Sequence, residues 1–279
     1  MEVLKLAAFS HNGKGGNPAG VAFYDEMPAA EEMLAIAKQV GYSETAFLVK
    51  QNDGWRVRYF APEMEVPFCG HATIALGAAL GGRFGERGYK LFLNQGEISV
   101  SAEKSENGVF TATLQSPDTW SKDVPSEYVD KALAAFNLEK EDLDPEFSIR
   151  FAFAGAKHLI VFVKERKTLA DMSYQFDVAK SLMADEDLVT ISVLWRESDG
   201  VFHSRNAFAS GGVYEDPATG AAAAALAGYL RDINWQGKKA FTILQGEDMG
   251  MPSRLSVRYG SKIGESISVS GEVRYISDN

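Results

Sequence analysis

The chain has 279 residues, 46% of them hydrophobic and 24% charged, which is ordinary globular composition rather than that of a disordered or repetitive chain. At about 150 residues per domain, this length sets a prior of two domains. Its 28 basic and 38 acidic residues leave a net charge of −10 without a basic stripe, which argues against nucleic acid as a partner, and its single cysteine excludes an internal disulfide framework, a Cys-rich zinc site and every mechanism that needs two thiols.

Residues 1–10 carry Glu2 where a signal peptide would be basic, and the most apolar stretch, 219–230, is too short to span a bilayer. A cytoplasmic protein without a membrane partner is expected. Residues 11–20 (HNGKGGNPAG) look like a phosphate loop but match neither glycine-rich nucleotide fingerprint. Residues 29–39 predict an amphipathic helix ending at Gly41, and 41–49 a β-like segment that is apolar except around Glu44. An alternating run at 55–60 leads through a Pro-containing turn into a helix of small residues, 70–80, followed by a strand at 90–93 and a Gln-Gly turn. A strand at 109–114 precedes the expected domain boundary, 115–125, which holds two prolines. Beyond it a helix is expected at 128–136 and strands at 149–153, 159–163 and 191–195. The same grammar then returns: a looser strand at 201–208, a small-residue helix at 220–230, a strand at 240–244, a Gln-Gly turn and a final strand at 267–276.

This return is a repeat. Residues 65–97 set against 215–247 agree at ten of 33 positions, including an ungapped Glu-x-Pro-x-x-Gly and a Gln-Gly-Glu. Chance matching at average composition gives roughly two or three. The chain thus reads as two copies of one unit, residues 1–117 and 118–264. A helix of Ala, Gly and Thr has no polar side for water, so each copy should roll a sheet around one buried central helix.

Both central helices start in loops of small residues, at Gly70 and Gly220. Helix N-termini bind small anions and stabilise negative charge developing on a substrate, although glycine there also serves simply to permit a tight turn. Should the two copies face each other, the two N-termini would converge on one cleft. His71 adjoins Gly70 and is either a hydrogen-bonded structural residue or part of the site. His11, His158 and His203 are scattered without metal-ligand spacing, so no metal is expected. Cys69 is a small buried hydrophobe or an activated thiol; the second copy has Thr219 in its place, so a two-thiol racemase is excluded. Asp216 either caps the second helix or serves chemistry. Glu44 lies at an exposed edge or is buried with a raised pKa, as a general base near neutral pH requires. Serine-hydrolase elbows and zinc-protease motifs are absent from the sequence.

Five motifs then fall in one order: Gly16-Asn17-Pro18-Ala19, Ser43-Glu44-Thr45-Ala46-Phe47, Arg58-Tyr59-Phe60-Ala61-Pro62, Cys69-Gly70-His71-Ala72-Thr73 and Glu215-Asp216-Pro217-Ala218-Thr219-Gly220. In this order, from about residue 9 to 275, the chain resembles the phenazine-biosynthesis PhzF-like family of the diaminopimelate epimerase-like superfamily. The resemblance implies an α+β fold of two pseudo-symmetric domains, each a rolled β-sheet around a central helix, with a cleft between them. It implies a final strand, 265–279, that completes the first domain, and a homodimer. It makes Glu44 the acid/base that moves a proton between carbons, with His71 and Asp216 assisting or orienting the substrate. Asn17, Gly70 and Gly220 would line the pocket, and Thr73 and Thr219 of the same motifs are further substrate-binding candidates. The best-known member isomerises trans-2,3-dihydro-3-hydroxyanthranilate without a cofactor. The chain departs from the family at Ala221, where a serine is usual, which leaves the substrate open. The expected function is therefore a cofactor-independent isomerase or epimerase acting on a small anionic amino acid, cyclic ones included. The rival is a non-catalytic ligand- or protein-binding member of the same fold.

Overall fold

The computed structural model describes residues 2–94 and 96–277; Gln95, one of the ten repeat matches, lies outside them. The chain divides into two compact units, one running to Ser116 and resuming at Ser268, the other Pro117–Ile267. The first contains β1 (Leu4–Ser10), β2 (Asn17–Tyr24), α1 (Ala30–Val40), β3 (Glu44–Gln51), β4 (Gly54–Phe60), β5 (Glu65–Val66), α2 (Gly70–Phe84), β6 (Gly88–Phe92), β7 (Glu97–Lys104) and β8 (Phe110–Gln115). The second contains β9 (Thr119–Asp123), α3 (Ser126–Ala135), β10 (Arg150–Ala154), β11 (Lys157–Val163), α4 (Arg166–Ala170), α5 (Phe176–Asp185), β12 (Leu188–Ser198), β13 (Val201–Ala207), β14 (Glu215–Asp216), α6 (Gly220–Asp232), β15 (Ala240–Gln245) and β16 (Ser253–Arg258). The last strand, β17 (Ser268–Tyr275), belongs to the first unit.

In the first unit the strands pair in the cycle β1–β2–β3–β4–β6–β7–β8–β17 and back to β1. The sheet therefore closes on itself, and β17 supplies the stave between β1 and β8. Closure leaves no unpaired edge, and the interior holds α2, buried from Gly70 through Gly81. Only a helix stripped of bulk fits there. A Cβ added at Gly77 would lie 2.6 Å from Cγ2 of Val100 on β7, so the close approach of helix to strand demands glycine. Outside the barrel α1 lays Met33 and Ala37 on Ala22, Phe47 and Phe60 and ends at Gly41, whose φ of 72° gives a left-handed cap.

The second unit forms a sheet in the order β9–β10–β11–β12–β13–β15–β16, with β14 paired to β13. One face receives α6, buried from Gly220 through Arg231 and packed on β9, β10, β11 and β16. Contact with both ends of the sheet shows that it curls around the helix. The opposite face carries α3 and α5, whose Tyr128, Ala132, Leu182 and Met183 meet Leu159, Val161, Val163, Ile191 and Val193. Because β11 alternates, His158 points the other way and is fully buried, its Nδ1 2.8 Å from Oγ1 of Thr190.

The two units divide after Ser116, within the stretch 115–125 expected to hold the boundary. Its prolines bracket β9, which pairs with β10 along its length; proline is tolerated at strand ends. The sequence reading missed α4 and α5, the strands β1 and β2, which are buried on both faces along most of their length, and β7 and β16, which alternate buried and exposed residues. Among the described residues no helix is long and apolar enough to cross a membrane.

Candidate active site

In the first unit, β3 and the start of α2 bring together residues that lie far apart in sequence. Glu44 opens β3, its backbone held opposite Ala19 of β2. Gly70 starts α2, with Cys69 at the N-cap making no side-chain cap. His71 Nε2 lies 3.3 Å from Oε2 of Glu44 and 3.3 Å from Oγ of Ser43, and its Nδ1 lies 3.3 Å from Sγ of Cys69. Glu44 is 7% exposed and His71 5%. Of the two readings open for Glu44, the edge position is thus excluded. Oε2 of Glu44 accepts no hydrogen bond, His71 approaching it at ion-pair distance without hydrogen-bond alignment. Burial raises the Glu44 pKa above the ordinary 4.5, and the side chains of Ser43 and Cys69 offset part of that shift. A carboxyl held in this way accepts and releases a proton closer to neutral pH than a solvated one. Three donor atoms, one each from Glu44, Cys69 and His71, lie within 4.8 Å of one another. The expectation of no metal rested on the spacing of the other histidines and could not foresee this cluster.

In the second unit, α6 starts at the corresponding place but with a different polar set. Thr219 holds the N-cap position, not Asp216. The Thr219 hydroxyl donates to Oδ2 of Asp216 at 2.5 Å. Gln245, at the end of β15, clamps the loop: its Nε2 donates to the Asp216 carbonyl at 2.7 Å and to Oγ1 of Thr219 at 3.1 Å, while its Oε1 accepts from the Thr219 amide at 3.3 Å. The next residue, Gly246, has φ of 76°, and a Cβ there would lie 2.2 Å from the Met251 carbonyl oxygen, which explains the Gln-Gly pair as a turn requirement. Ala221 is buried and offers no hydroxyl.

Asn17 is buried at the start of β2, opposite Ala8 and next to an irregularity where Phe9 adopts φ of 62°. A bulky residue in the left-handed region is strained, and such strain persists where the surrounding structure over-determines it. Thr73 is fully buried, its hydroxyl donates to the Cys69 carbonyl at 2.7 Å, and it therefore accepts from the Tyr59 hydroxyl at 2.7 Å. These bonds hold the Cys69 loop in place. Thr219 likewise bonds within its own loop, to Asp216 and Gln245.

One repeated feature was missed. Arg58 pairs with Glu65 at 2.6 Å, and Arg205 with Glu215 at 2.6 Å. In each unit the glutamate lies across from the last residue of the preceding strand, Phe60 or Ala207. From Phe60 to Glu65 is five steps, and from Ala207 to Glu215 eight, so the second turn is longer by three. The two arginines therefore match at an offset of 147, invisible to an ungapped comparison at 150.

A family model described as phenazine biosynthesis-like protein matches residues 6–278. The chain is 30% identical over 270 residues to the trans-2,3-dihydro-3-hydroxyanthranilate isomerase of Pseudomonas aeruginosa, covering 94% of this chain and 91% of that one. Among solved structures it is similar to a Bacillus anthracis phenazine biosynthesis protein of the PhzF family, with a TM-score of 0.86, 25% identity and coverage of 99% and 98%. A probable proline racemase from Agrobacterium radiobacter shares the fold at a TM-score of 0.67 and 11% identity, covering 98% of this chain and 90% of that one.

Proposed function

The chain belongs to the phenazine biosynthesis-like family and is an isomerase, and from that premise we propose that it moves a proton between carbon atoms of a small, carboxylate-bearing amino acid, with Glu44 as the acid/base. The observation that carries this reading is the state of Glu44: a buried carboxyl, raised in pKa, with one oxygen that accepts no hydrogen bond, beside the uncapped start of α2. An oxygen without a hydrogen-bond donor is free to take a proton from carbon. His71, within 3.3 Å, orients the carboxylate and lends it positive charge when protonated. The first-turn amides from Gly70 onward receive the substrate carboxylate or the charge that builds on the carbanion. No cofactor is needed, because the proton removed from one carbon returns to another through the same carboxyl.

Asn17, Asp216, Thr219 and Gly220 are assigned to binding and orienting the substrate, and the active form is proposed to be a homodimer, which light scattering on the eluted protein reads directly. Ala221 removes a hydroxyl from the α6 start and so alters which substrate is preferred, leaving the proton transfer itself untouched. The relative's dihydrohydroxyanthranilate is the first compound to assay, followed by hydroxylated and unsaturated amino acids. In deuterated water, turnover should place solvent deuterium on substrate carbon, and Glu44→Gln should slow this about 10²–10⁴-fold. Undiminished incorporation in that variant would refute the role of Glu44.

A further inference from the structure

The buried donors around Glu44 have a second chemistry. The geometry points to a binding site for one divalent transition-metal ion of zinc's class, held by Oε2 of Glu44, Sγ of Cys69 and Nε2 of His71, with the fourth position open. The donor set is mixed carboxylate, thiolate and imidazole, which suits zinc or cobalt and not magnesium or calcium. Spacing supports it. In a tetrahedral zinc site with ordinary bond lengths, an oxygen and a nitrogen ligand lie about 3.4 Å apart and a sulfur and a nitrogen about 3.6 Å apart. Here Oε2 to Nε2 is 3.3 Å and Sγ to Nε2 is 3.9 Å, each within a few tenths of an ångström of those values, and all three donors lie within 4.8 Å of one another. The independent sign is again Oε2 of Glu44, more than nine-tenths buried and accepting no hydrogen bond while it faces the other two donors.

Binding displaces the thiol proton, and also the carboxyl proton when Glu44 carries one, so affinity rises with pH. The ion would occupy the oxygen that the proposed reaction uses. It is therefore an inhibitor rather than a cofactor, and this last consequence alone rests on the proposed role of Glu44.

The chain's only cysteine makes the site report on itself. Titrating the untagged, metal-stripped protein with Co²⁺ should raise a thiolate-to-metal charge-transfer absorption that saturates at one equivalent and is bleached by Zn²⁺. Cys69→Ser should abolish the absorption. Glu44→Gln, a near-isosteric change, and His71→Ala should each weaken binding roughly tenfold or more, as loss of one of three protein ligands requires. Circular dichroism establishes that each variant is folded. Lack of the absorption at saturating Co²⁺ overturns the site. So does an absorption whose affinity is unchanged in both Glu44→Gln and His71→Ala, because Cys69 would then bind without these partners. Neither result touches the isomerase reading, which the deuterium experiment tests without metal; conversely, Co²⁺ binding stands even if Glu44 proves not to move protons.

Discussion

The two units start their central helices alike and equip those starts differently. At α2 the carboxyl of Glu44 is buried, raised in pKa and short of hydrogen bonds on one oxygen. At α6 the carboxylate of Asp216 accepts a short hydrogen bond from Thr219, and Gln245 ties the whole loop down. A carboxylate whose bonds are satisfied is a poor base, because its charge is already stabilised; one left short is poised to take a proton. On the role proposed for Glu44, the repeat divides labour: one copy keeps the acid/base, and the other a loop tied down by hydrogen bonds.

The ion pairs reverse the contrast. Arg205 and Glu215 have side chains only 10% and 3% exposed, and Arg205 Nη1 also donates to the carbonyls of Ala170 and Met172. Arg58 and Glu65 are 21% and 26% exposed. The same interaction thus serves as an internal fastening in the second unit and a half-solvated one in the first.

The largest test of the division is catalytic. Glu44→Gln should cost about 10²–10⁴-fold in kcat, the usual worth of a positioned acid/base, measured as deuterium exchange on whichever substrate turns over. If Asp216→Asn cost as much in kcat, the division would fail. Next in size is the Arg205→Met change, which leaves Glu215 buried without its partner and should lower stability by about 3–5 kcal/mol in urea unfolding. Asp216→Asn weakens the Thr219 bond and should raise KM about tenfold while leaving most of kcat, as loss of one charged hydrogen bond implies.

Two buried titratable groups should give the units opposite pH signs. Burial lowers the His158 pKa from 6.5 to about 3, so the stability it contributes is complete above 6.5 and is lost as pH falls toward 3, by up to about 1.4 kcal/mol per pH unit. Glu44 has its pKa raised instead, so its contribution is complete below 4.5 and is lost as pH rises through its folded value. His158→Gln should therefore flatten the acid side of a stability profile, and Glu44→Gln should stabilise the protein more at pH 8 than at pH 4. Equal effects at both pH values would contradict the burial. Smallest is Arg58→Met, expected within about 1 kcal/mol because its pair is partly solvated. A loss as large as that at Arg205 would erase the difference between the two pairs.

Much of this was legible before any coordinates. The small-residue composition of 70–80 and 220–230 announced two helices buried on every side, since no arrangement of Ala, Gly and Thr presents a polar face. The repeated Glu-x-Pro-x-x-Gly and Gln-Gly-Glu announced two copies, and the lone cysteine directed attention to a carboxylate. These features are local or compositional, and a sequence records them directly. Other features depend on which strand lies beside which. Closing of the first sheet by the β4–β6 pair and by β17, the bonds of Thr73 to Tyr59 and the Cys69 carbonyl, and the match of Arg58 with Arg205 across a three-residue insertion are set by register. The same is true of Glu44. Its identity as a candidate came from the sequence, but an acid in an apolar segment reads equally as edge or interior. Only the packing of β3 against β2 and α2, which removed water from the carboxyl and placed His71 at 3.3 Å, decided that it is buried, because desolvation belongs to the assembled fold and to no stretch of chain by itself.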